Sequence, residues 1–291
     1  MSGTFVDRLL YVTPFWLIAV TIFVGMAASA WTGHYLRKRR EYGGAARRKD
    51  KDEDSKEGLV VSSVMGLLAL LIGFTFSLAI DRFDTRRERV LMEANAVGTT
   101  YLRTQLLEEP HRSRISGLLV RYADLSLALS QATPGPEQQL LLAKNDALIT
   151  DLWSATVAAF PSMKGYDFSS TYLESMNEVI DLNAARQQAR RARVPSEILL
   201  VLCLYQFIAA GVIGYVLIGR GGQRTGTLLL LLFGLSLVLV IDVDYPVGGG
   251  INVSQEPMRQ LKASLKSWRP GTFDRFSPGA AAPAPVPSPK R

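Results

Sequence analysis

Four stretches of this chain carry no charged residue and are almost wholly apolar: Pro14 to Trp31, Leu59 to Ile80, Ile198 to Ile218 and Thr225 to Ile241. A helix needs roughly 20 such residues, at about 1.5 Å of rise each, to cross about 30 Å of hydrocarbon. The second and third stretches are long enough outright; the first and fourth reach the lower limit. The fold class expected is therefore an all-α integral membrane protein with four transmembrane helices.

Other readings of the same residues are weaker. Ala28, Ser29 and Ala30 resemble a signal cleavage site, but the preceding segment carries only Arg8 against Asp7 and the apolar run is long for a signal. Cys203 lies inside the third span and has no partner for a disulfide. His34 and His111 stand apart from any Cys or Glu at ligand spacing, which argues against a zinc-type metal site. The net charge of +7 gathers beside the spans and lacks the interleaved aromatic and basic surface that nucleic acid requires. Anionic lipid headgroups are the expected counter-ions. No nucleophile elbow, phosphate loop or glycine fingerprint points to an enzyme or to a cofactor.

Between the second and third spans, the sequence reads as helix throughout. Its punctuation is Glu108-Glu109-Pro110, Thr133-Pro134-Gly135-Pro136, and Pro161 with Lys164-Gly165. Pro110 and Pro136 suit first turns, and Thr171 with Glu174 has capping-box spacing. Ile115, Leu118, Tyr122, Leu125 and Leu129 keep one helix face, as do Leu141, Leu148, Leu152, Ala155 and Ala159. After the last span, Asp242-Val243-Asp244-Tyr245-Pro246 leads into Gly248-Gly249-Gly250, expected as a flexible elbow. Ser254 then caps a short amphipathic helix with Met258, Leu261, Leu265 and Trp268 on one side, which either docks on the protein or lies on the membrane. The chain thus divides into spans one and two with a basic loop (1–81), a helical insert (82–197), spans three and four (198–245), elbow and amphipathic helix (246–270), and a Pro-rich disordered tail (271–291).

Counting basic residues does not orient the chain. The Thr32 to Gly58 loop and the Gly219 to Arg224 turn share one side with eleven Lys and Arg, against nine on the other.

The run Gly73 to Arg89, GFTFSLAIDRFDTRRER, passes from apolar to charged with no turn residue between. On a helix, Asp81, Asp84 and Glu88 share one face while Arg82, Arg86 and Arg89 fall on an adjacent one, and Asp84 can reach Arg87. One reading is a solvated stalk. The other is a pore lining: Leu68, Ile72, Phe76 and Ile80 form an apolar row that a ring of copies would turn into a neck. Asp81, Arg82, Asp84, Arg86, Arg87 and Glu88 would then form its mouth. Gly66, Ala69 and Gly73 would allow close helix contact. Asp242 and Asp244, at the edge of the fourth span, suit a structural role: accepting hydrogen bonds from the elbow or pairing an arginine of the insert.

The run from Phe74 to Leu107, FTFSLAIDRFDTRRERVLMEANAVGTTYLRTQLL, resembles the bacterial bestrophin-like membrane family. So do Ile241-Asp242-Val243-Asp244 and Gly250-Ile251-Asn252-Val253-Ser254. More distantly, the four spans, the long helical insert and the signature Asp81-Arg82-Phe83-Asp84-Thr85-Arg86-Arg87 resemble the bestrophins, which are pentameric ion channels. The resemblance implies a homopentamer in a cell membrane, conducting inorganic ions through an axial pore lined by the second span. The calcium clasp of bestrophins does not carry over, because Asp242, Asp244 and Glu256 do not form an acidic run. The sign of the ion does not carry over either. The competing class is a non-conducting, membrane-anchored helical module in which the insert binds a partner.

Overall fold

The computed structural model describes residues 13–42, 51–217, 219–245, 249–268 and 271–275. They form helices α1 (Phe15–Tyr42), α2 (Lys51–Thr104), α3 (His111–Gln131), α4 (Pro136–Met163), α5 (Phe168–Arg191), α6 (Ser196–Val216), α7 (Gly219–Asp244) and α8 (Glu256–Ser267). No strand occurs among the described residues. Helices α1, α2 and α7, and the α5–α6 stretch, each contain a segment long and apolar enough to cross a membrane.

The helices overrun the expected spans because nothing in the sequence stops them. Helix α1 continues through Arg37-Lys38-Arg39-Arg40, all good helix formers, to Tyr42. Helix α2 contains 54 residues and no proline, so at 1.5 Å each it is about 80 Å long. The expected loop 32–58 is correspondingly shortened at both ends. The expected turn at 219–224 is instead the opening of α7.

Pro136 acts as expected and opens α4, whereas Pro110 stands one residue earlier than a first turn, as the N-cap of α3. Pro161, in contrast, lies inside α4, whose last residue is Met163. So near the C-terminus it removes little of the helix ladder. The break comes instead at Gly165, whose φ of 92° is a left-handed conformation that glycine adopts without strain. The capping box at Thr171 and Glu174 is not formed. Helix α5 begins earlier, at Phe168, whose ring packs on Tyr172 with centroids 5.8 Å apart and joins the core.

The chain forms two compact units: one from residues 1–86 and 189–253, the other from 87–188 and 254–291. In the first, Ile22, Met26, Leu68, Ile72, Leu199, Leu202, Leu237 and Val240 form a buried core. Helices α1 and α6 meet there backbone to backbone. A Cβ on Gly33 would overlap the Gly211 carbonyl, and one on Gly214 would overlap that of Ala30.

In the second unit, the stripes on α3 and α4 interleave with α5 around Leu119, Tyr122, Leu152, Tyr172 and Met176. Helix α8 belongs to this core. Met258 is 0% and Leu265 2% exposed, and Trp268 stacks on Tyr101 at 5.3 Å. Of the two alternatives for this helix, docking is therefore the one observed. The tail expected to be disordered over 271–291 departs from that at its start: residues 271–275 form a turn in which Asp274 accepts from Arg112 Nη1 at 3.0 Å and the Phe273 ring packs on Trp268 at 5.3 Å, while the rest lies outside the described residues.

Candidate functional site

Where α2 leaves its apolar stretch, the helix has one face covered and one open. Leu68, Ile72, Thr75 and Ala79 are buried, and Phe76, Ile80 and Phe83 are partly covered by the core of the first unit. Ile72 therefore packs inside its own bundle, with Phe76 and Ile80 at the margin. The open face carries Leu70, Phe74, Ser77, Asp81, Asp84 and Glu88, all exposed. Their spacing of four, three, four, three and four residues keeps them in one row along the helix. Phe74 is 63% and Leu70 53% exposed. On the same side Gly66 and Gly73 have nothing within 4 Å of where a Cβ would stand.

The charged residues expected at a mouth separate largely by sign, with Arg87 the exception. Asp81, Asp84 and Glu88 are exposed on the open row, whereas Arg82 is half-buried and its Nε is covered by protein. Arg86 is 5% exposed and donates from Nη1 to the Asp244 carbonyl at 3.0 Å and from Nη2 to the Val243 carbonyl at 2.7 Å. These carbonyls end α7, where the helix leaves acceptors without intrahelical donors and the dipole favours a cation. Arg86 is thus a helix-end ligand within the bundle. Arg87 is exposed, about 100° from Glu88 around the helix.

The acidic pair beyond the fourth span is buried and bonded. The Asp242 carboxylate accepts from the Gly250 and Ile251 N–H groups at 2.7 and 3.2 Å. A Cβ at Gly249 or Gly250 would press on that carboxylate, which accounts for the glycines. The described part of the elbow is therefore pinned by Asp242. The Asp244 carboxylate accepts from Val194 N–H at 3.0 and 3.2 Å, fixing the turn into α6. Nearby, the Arg193 guanidinium lies 4.8 Å from the Tyr245 ring centroid. No group of three or more His, Cys, Asp or Glu side chains able to hold a metal occurs among the described residues.

Sequence reasoning passed over Leu70, Phe74 and Ser77. Counting back from Asp81 by four, seven and eleven residues would have found them.

The family model for the Bestrophin-like domain matches residues 25–258. Among solved structures, the fold is similar to that of a mutant bacterial bestrophin homologue from Klebsiella pneumoniae. The TM-score is 0.63 at 14% identity, covering 86% of this chain and 98% of that chain. The zinc-phased structure of the Klebsiella pneumoniae homologue gives 0.62 at 14% identity, covering 86% and 96%. A structure described only as a membrane protein gives 0.64 at 14% identity, covering 85% and 97%. No curated protein matches the chain. The protein is a multi-pass, all-α membrane protein, and with four-fifths of its length matched it belongs to the Bestrophin-like family.

Proposed function

We propose that the protein is an ion channel, a homopentamer in which the open face of α2 lines an axial pore. The observation that carries this reading is the single row from Leu70 and Phe74 through Ser77 to Asp81, Asp84 and Glu88, uncovered by its own chain. A lone helix encloses nothing; cyclic symmetry turns its open row into rings. Leu70 and Phe74 then form an apolar neck of the kind that gates by dewetting, with Phe76 and Ile80 flanking it. Asp81, Asp84 and Glu88 form an acidic mouth that concentrates cations. The inward placement of Arg86 and the partial burial of Arg82 favour cations over anions, with the exposed Arg87 at the edge of the row, within reach of Asp84, the one expected mouth arginine left to oppose them.

The test is reconstitution in a planar bilayer under a salt gradient. Phe74→Ala should raise single-channel conductance or open probability. Asp81→Asn with Asp84→Asn and Glu88→Gln should move the reversal potential away from the cation limit. Silent bilayers from intact pentamers would reject conduction, and currents unaltered by all of these changes would reject this row as the lining.

A further inference from the structure

Within the membrane-spanning unit, a groove of about 630 Å³ runs along the seam of α1 and α6, with Val60 of α2 on its flank. Ser29, Gly33 and Gly211 are among its lining residues. The small residues that bring the two backbones together leave no side chains to fill the flank of the contact. Leu36 and Val212 complete a predominantly apolar wall. The volume is within the about 300–1,000 Å³ usual for ligand sites.

The chemistry changes toward the C-terminal end of α1, beside this groove. On a different face of α1 from the groove lining, Trp31 and Tyr35, 68% and 50% exposed, stack at 5.9 Å, the kind of aromatic pair that sits at headgroup level. The basic residues Arg37, Lys38, Arg39 and Arg40 follow on α1. Tyr215 lines the groove and holds two of them. Its carbonyl accepts from Arg37 Nη1 at 3.0 Å, and its hydroxyl accepts from Arg40 Nη1 at 2.8 Å. An apolar slot that ends in a cationic cluster matches the acyl chain and phosphate of a lipid.

We propose that this groove binds an anionic glycerophospholipid, with one acyl chain along Gly33 and Gly211 and the phosphate at Arg40. A second copy of the chain is the poorer occupant, because the cores of protein interfaces are depleted of charge and this one ends in a basic run. The proposal does not depend on conduction.

Native mass spectrometry of the full-length protein, released from nanodiscs of equimolar phosphatidylglycerol and phosphatidylcholine, reads bound lipid and oligomer size together. The wild type should retain phosphatidylglycerol preferentially. Arg40→Gln should weaken that retention about fivefold, the worth of one basic residue near an anionic headgroup. Val60→Trp, at an exposed position on the groove flank, should abolish it with the oligomer intact. Equal retention of both lipids by the wild type would overturn the proposal. So would full retention by Val60→Trp, or an oligomer broken by Val60→Trp with lipid still bound, which would identify the groove as a contact between copies.

Discussion

Glu93 is 1% exposed, and its carboxylate accepts from the Tyr122 hydroxyl at 2.5 Å and from the Arg186 guanidinium. Arg186 also donates to Ser126 Oγ and, at 2.9 Å, to Gln255 Oε1. One cation thus joins α2, α3, α5 and the residue preceding α8 within the second unit. Removing one member of such a pair strands a buried charge, so Arg186→Met should cost about 3–5 kcal/mol. Denaturation of the full-length protein in detergent measures this. The double variant Glu93→Leu/Arg186→Met should lose less than the sum of the single variants, because no charge is left stranded. Burial, and then the Glu93 charge, holds the Tyr122 hydroxyl well above the ordinary tyrosine pKa. With the folded value raised, its contribution is intact below the unfolded pKa of about 10 and is lost as pH rises toward the folded value. Between about pH 9 and pH 11, Tyr122→Phe should therefore lose less stability than the wild type, read from paired melting curves.

At the scale of elements, the α1–α6 seam and the open face of α2 respond oppositely to an added methyl group. At Gly214 the new Cβ meets the backbone of Ala30, which cannot rotate away. Gly214→Ala should force the helices apart and cost about 1–3 kcal/mol, seen as a lower melting temperature. At Gly66 the same change meets nothing within the protomer, so the protomer's own packing should be unaltered. Much of this level was legible in the sequence. Charge-free apolar blocks and well-placed prolines gave the helices, and the period of Ile115, Leu118 and Tyr122 gave a buried stripe. Helix ends were less legible, because neither Arg37 to Arg40 nor Pro161 stops a helix from one side alone. Arg86 was opaque for a different reason. A basic run after a span looks solvated, and its burial depends on carbonyls 157 and 158 residues away.

For the whole molecule, the sequence singled out the same helix as the proposed pore lining but left its rotation undetermined. Ile72-Phe76-Ile80 and Leu70-Phe74-Ser77 are neighbouring rows on one helix, and only the packing of Ile72 into the core separates them. Composition could not assign the charged residues to faces either, since Asp81 and Arg82 are adjacent in sequence but point to different surroundings. In the proposed pentamer, copies of the chain cover the open row. Gly73→Leu, which meets nothing within 4 Å in its own chain, should therefore weaken assembly and leave the helical content unchanged, as read by light scattering and circular dichroism. The most direct measurement is the rotational symmetry of the detergent- or nanodisc-solubilised particle, imaged by electron microscopy. A fivefold ring with α2 innermost and Leu70 and Phe74 facing the axis is the expected result. A monomer, a dimer, or a ring with α2 facing lipid would contradict it.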